Sequence, residues 1–222
     1  MSFLQFLHEY DTSLLIALAE HVRMIAIALA IATLAGVPLG VWGARNRRAG
    51  GIVLAFANVI QTIPSIALFG LMIPVLALVN RGIGTFPAII ALVLYALLPI
   101  IRNTMVSLLA IPHATLDAAR GLGMTEGEIF RHVMLPLALP GIVSGIRIAA
   151  TMSVGVAAVA AFIGAGGMGH FILRGIQTTW PMMTIAGAVG NALLALIVEL
   201  LLEWVERALT PRGVRIGAER SA

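Results

Sequence analysis

The chain has 222 residues, 60% of them apolar and 11% charged, with a formal net charge of +4. A soluble domain lies nearer half apolar and a quarter charged, so this balance excludes disorder, nucleic-acid binding and an ordinary cytosolic enzyme. All 14 basic residues are arginine, which removes the lysine that a P-loop ATPase places on its nucleotide, and zero cysteines exclude disulfides, thiol catalysis and iron–sulfur ligation. An integral membrane protein remains.

Met1–Tyr10 carries no basic residue and no small-residue cleavage site follows it, which argues against a cleaved signal peptide. Leu14–His21 reads as a short interfacial helix capped by Asp11 or Thr12. A bilayer core of ~30 Å needs about 20 apolar residues in a helix. Five spans follow, at about 22–44, 52–79, 84–106, 137–163 and 182–205. Their interiors are rich in Ala, Leu, Ile and Gly and do not alternate every second residue, so the expectation is all-α rather than a barrel. A single transmembrane domain over 1–222 is expected, with no soluble second domain.

Arginines near span ends set the orientation. Arg45, Arg47 and Arg48 follow the first span; Arg102, Arg120 and Arg131 lie at and after the third; Arg207, Arg212, Arg215 and Arg220 follow the fifth. Arg23, Arg81 and Arg174 fall on the other side. The bias predicts an outside N-terminus and a cytoplasmic C-terminus.

In the second span Pro64 sits among Gln61, Thr62 and Ser65. A proline frees a backbone carbonyl that a hydroxyl or water must satisfy, and such a kink serves equally as a translocation wall or as ordinary packing. Asn58, Asn103, Thr151, Ser153 and Asn191 are further polar residues at membrane depth, open to interhelical hydrogen bonding or to pore lining. The candidate passage is therefore Gln61, Thr62, Pro64, Ser65, Asn103, Thr151, Ser153 and Asn191.

The segment 111–136, between the third and fourth spans, is too polar to cross a bilayer yet is built to be ordered. Thr115 can cap a short helix that Gly121 and Gly123 end, and Thr125-Glu126-Gly127-Glu128 is a capping-box pattern opening a second helix through about Val133. Pro136 and Pro140 separate that helix from the fourth span or sit in its first turn. Two short glycine-hinged helices suit docking onto something soluble.

Arg147, several residues into the fourth span, requires a partner or a path to the headgroups. Gly164, Gly166 and Gly169 fit G-x-G-x-x-G, but no strand precedes them, and a tight turn is the better reading. His170, Arg174 and Trp180 follow as docking or anchoring residues. Glu199, Glu203 and Arg207 form a stripe that supports a Glu203–Arg207 pair. The five histidines show no metal spacing, no nucleophile–base pair is evident, and the tryptophans and tyrosines assemble no aromatic cage for a quaternary ammonium.

Asp117-Ala118-Ala119, Gly123, Val133 and Leu135-Pro136 match in order and spacing the EAA loop of ABC-importer permeases, with Asp in place of Glu and Val in place of Ile. Further stretches resemble the permeases of glycine betaine, carnitine and choline importers: Gln61-Thr62-Ile63-Pro64-Ser65, Leu97-Leu98-Pro99-Ile100-Ile101-Arg102-Asn103-Thr104 and Ile163-Gly164-Ala165-Gly166-Gly167-Met168-Gly169. Methionine-importer permeases are the nearest competitor. The resemblance implies the type I ABC-importer permease fold, with five transmembrane helices and a cytoplasmic coupling helix between the third and fourth. It implies that Asp117, Ala118, Ala119, Arg120, Gly123, Leu135 and Pro136 couple to an ATPase. The implied partners are two ATP-binding-cassette subunits, a second permease copy (identical or homologous) and an extracytoplasmic substrate-binding protein, all around a chain set in membrane lipid with no role for nucleic acid. No cofactor is expected on this chain, since ATP and Mg would sit on the ATPase. The rivals are an ion-coupled secondary carrier, which needs intramembrane carboxylates, and a non-pumping membrane protein, which leaves the ordered inner loop unexplained.

Overall fold

The computed structural model describes residues 3–209, so the tail arginines Arg212, Arg215 and Arg220 lie outside the described residues. Lipid offers the backbone no hydrogen-bond partner, and the chain answers with helices throughout. In order these are α1 (Phe3–Glu9), α2 (Asp11–Arg45), α3 (Arg47–Thr62), α4 (Ser65–Ala77) and α5 (Thr85–Leu109). Next come α6 (His113–Gly121), α7 (Glu126–Ile163), α8 (Met168–Gln177) and α9 (Pro181–Leu209). Four helices, α2, α5, α7 and α9, are each long and apolar enough to cross a bilayer, and the bent pair α3–α4 is a fifth candidate.

The short interfacial helix expected over Leu14–His21 does not exist separately: it is the first part of the 35-residue α2. Its buried positions explain why. Ala17, His21, Met24, Ala28, Ala32, Gly36, Gly40 and Gly43 recur every three or four residues, so one packing stripe runs the whole length. Tyr10 occupies the N-cap position without a side-chain cap, so neither Asp11 nor Thr12 fills that role.

The second span differs most from expectation. Residues 52–79 do not form a gently kinked helix: α3 and α4 meet at 101° across Ile63 and Pro64, as a broken span or a re-entrant loop. The exposed backbone of this break is satisfied from α5. The Tyr95 hydroxyl donates to the Ile63 carbonyl, and Gln61 Nε2 donates to the Tyr95 carbonyl at 3.1 Å.

Helix α5 is the centre of the bundle, packed between α2 and α7, while α9 lies against α7 and α8. Small residues bring these helices close. A Cβ built on Gly40 would stand 2.6 Å from Thr104 Cβ, and one on Gly145 would stand 2.9 Å from the Pro99 carbonyl oxygen. Close approach of this kind replaces the hydrophobic drive that lipid removes. The largest core cluster, with Met24, Phe69, Leu92 and Val154, lies where α2, α4, α5 and α7 converge. Gly40→Leu is expected to destabilise the purified protein by about 1–3 kcal/mol through overpacking. Gly51→Ala, where a Cβ meets nothing, is expected to be neutral or slightly stabilising. Thermal unfolding of both variants in detergent checks the contrast.

Candidate functional site

The EAA-like segment forms an elbow at the end of the bundle where Arg45, Arg47 and Arg48 also lie. Helix α6 starts two residues before Thr115, with Pro112 at its N-cap, and the Thr115 N–H donates to the Pro112 carbonyl at 3.0 Å. Thr115 is therefore inside the helix and does not cap it. The other end follows the glycines. Gly123 adopts φ +80°, its N–H reaches the Arg120 carbonyl at 2.9 Å, and the Met124 N–H reaches that of Ala119 at 3.2 Å. These two bonds satisfy orphan carbonyls in the Schellman pattern, which needs a left-handed residue at this position.

Two residues on, the capping box forms as its sequence pattern predicts. Thr125 Oγ1 accepts from the Glu128 N–H at 3.4 Å, and Glu128 Oε2 accepts from the Thr125 N–H at 2.8 Å. The helix so opened does not end near Val133. It passes through a π-helical turn at Phe130–Met134, continues past Pro136 and Pro140, and runs unbroken to Ile163. The wide turn lets the Leu135 N–H bond to the Phe130 carbonyl, which loosens the coil just where Pro136 brings a ring and no donor. A separate second short helix is thus replaced by the first turns of α7.

Arg120 spans the elbow, with Nη1 3.0 Å from Asp117 Oδ1 and Nε 2.8 Å from Glu126 Oε1. Glu126 beside it, helped by Asp117, raises the guanidinium pKa, while the same bond from Arg120 holds the Glu126 carboxyl below the usual range. Glu128 is lowered by the Thr125 N–H. Ala119 is buried, whereas Asp117, Ala118, Arg120 and Gly121 are exposed. Leu122 projects at 83% exposure, an apolar side chain that the motif reading did not single out and that only its place at the helix C-cap reveals. Leu135 packs with Leu108, Ile111, Ala138 and Ile142, so it anchors the elbow to the bundle, and Pro136 is exposed. The Arg45 guanidinium lies 4.5 Å over the Phe130 ring and ties the end of α2 to the first turns of α7.

The candidate passage residues do not converge on one wall. Gln61, Thr62, Pro64 and Ser65 gather at the α3–α4 break, where the Thr62 hydroxyl donates to the Val59 carbonyl at 2.8 Å. Asn103 donates to the Pro99 carbonyl at 2.8 Å within α5. Thr151 turns to α9 and donates to Glu199 Oε2 at 2.7 Å. Ser153, at 2% exposure, bonds back to the Ala149 carbonyl and lines no open surface in this structure. Asn191, on α9, has a buried Oδ1 with no hydrogen-bond partner among the described residues.

Arg147 does find acids, as its cost at that depth requires. Its Nε is 3.4 Å from Glu199 and its Nη1 is 3.1 Å from Glu206, so α7 and α9 are clamped by one cation and two carboxylates. Glu203 and Arg207 form the expected pair one turn apart. At the opposite end Gly164, Gly166 and Gly167 all have positive φ, and the Gly167 N–H donates to Glu20 at 3.1 Å, so the glycine run is a tight turn against α2. His170 and Arg174 border a hollow there with Tyr10 and Glu20, and Trp180 packs edge-on to Phe6 and Tyr10.

Long apolar helices around a broken span, with an ordered polar elbow at one end, define a multi-pass membrane protein. Residues 36–212 match the family described as the binding-protein-dependent transport system inner membrane component, and the chain belongs to that family. The osmoprotectant import permease protein OsmW of Salmonella typhimurium is 47% identical over 88% of this chain and 91% of its own. The glycine betaine/carnitine/choline transport system permease protein OpuCD of Bacillus subtilis is 44% identical over 86% and 82%. Among solved structures, a chain of the MetNI methionine ABC transporter in an inward-facing conformation superposes with a TM-score of 0.79, at 29% identity over 89% of this chain and 96% of that one.

The elbow's carboxylates set a pH dependence. Glu126 and Glu128 have lowered pKa values in the folded state, so the order they lend is complete above the ordinary glutamate range and is lost as pH falls through the lowered values. Hydrogen exchange of the amides at 125–130, corrected for intrinsic rates, is expected to lose protection only on acidification past that range. Thr125→Ala removes the cap at neutral pH and is expected to cost about 1 kcal/mol locally, about fivefold in protection of the same amides.

Proposed function

We propose that this chain is the permease subunit of an ATP-driven importer for a quaternary-ammonium compatible solute, namely glycine betaine, carnitine or choline. The observation that carries this reading is the 47% identity to an osmoprotectant import permease across nearly the whole chain. Likeness to the methionine transporter is lower, at 29%, and supports the shared fold rather than the shared solute.

In this reading the arginine-rich end is cytoplasmic, as basic residues near span ends require, with the N-terminus outside and the C-terminus inside. The elbow of α6 seats in a cleft of an ATP-binding-cassette subunit. Asp117, Ala118, Arg120 and Leu122 make the contact face; Ala119, Gly123, Leu135 and Pro136 hold its shape and its link to α7. Two permease copies and two ATPases complete the membrane unit, and an extracytoplasmic binding protein delivers the solute. ATP and Mg stay on the ATPase, and no cofactor is assigned to this chain. Because the tryptophans and tyrosines assemble no aromatic cage by their spacing, high-affinity selection in this reading belongs to the binding protein and this subunit supplies a low-affinity passage.

The absence of cysteine makes the test clean. Ala118→Cys in the assembled complex is expected to crosslink to the ATPase, and Leu122→Arg is expected to lower ATP-driven glycine betaine uptake at least tenfold while the permease level in the membrane holds. Unchanged uptake in Leu122→Arg, with no crosslink from position 118, overturns the docking assignment.

A further inference from the structure

Two arginines set well inside spanning helices, Arg102 and Arg147, are treated very differently. Arg147 is at 24% side-chain exposure and holds two carboxylates. Arg102 is exposed, and its Nη2 donates to Asn58 Oδ1 at 2.9 Å; among the described residues no carboxylate pairs with it.

Depth follows from the contacts between α3 and α5. Near the arginine-rich end Gly50 meets Gly43 and Met105. From Gly50, Asn58 lies about 12 Å along α3, at 1.5 Å per residue. The next contact, Gln61 with Tyr95, stands about 16 Å along α3 and about 15 Å along α5, so the two helices run side by side in step. The Arg102 head therefore reaches toward the middle of the bilayer to meet Asn58. It does not turn back toward the headgroups.

A guanidinium at that depth faces protein or a water-filled space, not lipid. A second copy of this chain cannot neutralise it. No acidic residue lies between Glu20 and Asp117 or between Glu128 and Glu199, and the three acids of the last span already serve Arg147 and Arg207. The group is a cation left for water, or for an anion that passes.

We propose that Arg102, held by Asn58, lines the aqueous passage and receives the carboxylate of a zwitterionic quaternary-ammonium solute. This rests on the function proposed above and adds to it a preference: solutes with a carboxylate, such as glycine betaine and carnitine, pass more readily than choline, which has none. A fixed cation attracts the first kind and repels the second. Fork-shaped donation to a carboxylate is what a guanidinium does best, and Asn58 fixes its aim.

The test uses the complete complex in vesicles, with uptake of glycine betaine and of choline measured in parallel. Arg102→Gln is expected to lower the betaine-to-choline uptake ratio about tenfold, the scale of one lost charge-assisted hydrogen bond. Arg102→Lys keeps the charge and is expected to retain most of the ratio. Arg102→Cys, alone in a cysteine-free chain, is expected to react with a water-soluble methanethiosulfonate reagent and to be protected by betaine. An unchanged ratio in Arg102→Gln, or an unreactive thiol in an assembled complex, overturns the inference. Absence of ATP-driven uptake of any of these solutes by the unmutated complex instead overturns the proposed function, so the two failures are distinguishable.

Discussion

Backbone hydrogen bonding in lipid is the constraint from which the rest follows. Helices satisfy it within themselves, and any break must be satisfied by its neighbours. The α3–α4 break shows the cost and the remedy together. Prolines 38, 99 and 140 sit inside unbroken helices, whereas the chain turns by 101° at Pro64. The difference is not in the proline. It is in Tyr95 and Gln61, which exchange bonds with the loose carbonyls between α3 and α5. A break so supported brings Thr62, Pro64 and Ser65 to the corner between α3 and α4.

Sequence alone conveyed the apolar spans, because composition and length decide them, and the elbow's punctuation, because Gly123 and the Thr125–Glu128 box act within a few residues. It also conveyed the Glu203–Arg207 pair. What it missed depends on contacts between distant segments. Leu14–His21 resembled a separate interfacial helix until the buried stripe from Ala17 to Gly43 showed one continuous packing face. Pro136 and Pro140 resembled boundaries because local rules cannot anticipate a π-turn that makes room for them. The second acid on Arg147, Glu206, lies 59 positions away in sequence and is visible only once α7 and α9 are paired. The candidate passage was the least legible part: a hydroxyl in an apolar span looks the same in sequence whether it bonds its own helix near an exposed corner, like Thr62, bonds its own helix in the core, like Ser153, or reaches another helix, like Thr151.

In the coupling role proposed for the elbow, continuity of α7 is what would carry a push into the bundle. At 1.5 Å per residue its 38 residues make a rod of about 57 Å, beginning at the capping box and ending at the glycine turn. The rod is attached at three levels. Phe130 sits under Arg45 of α2, Arg147 is clamped to Glu199 and Glu206 of α9, and the turn that follows Ile163 is held to Glu20 of α2.

Under the proposed function, those attachments share a push on the elbow among the helices. α6 is joined to α7 by the Gly123 turn and by Arg120 bonded to acids on both sides, so the two helices respond as one unit as long as those bonds hold. A tilt of α7 then strains its contacts with α2 at both ends and with α9 in the middle, while α5 is carried through the close glycine contact at Gly145. The α3–α4 pair leans on α5 and, through α3, on α2, and α4 also meets the last turns of α7. The Asn58–Arg102 contact joins α3 to α5, so a shift of one helix against the other changes the surroundings of that guanidinium.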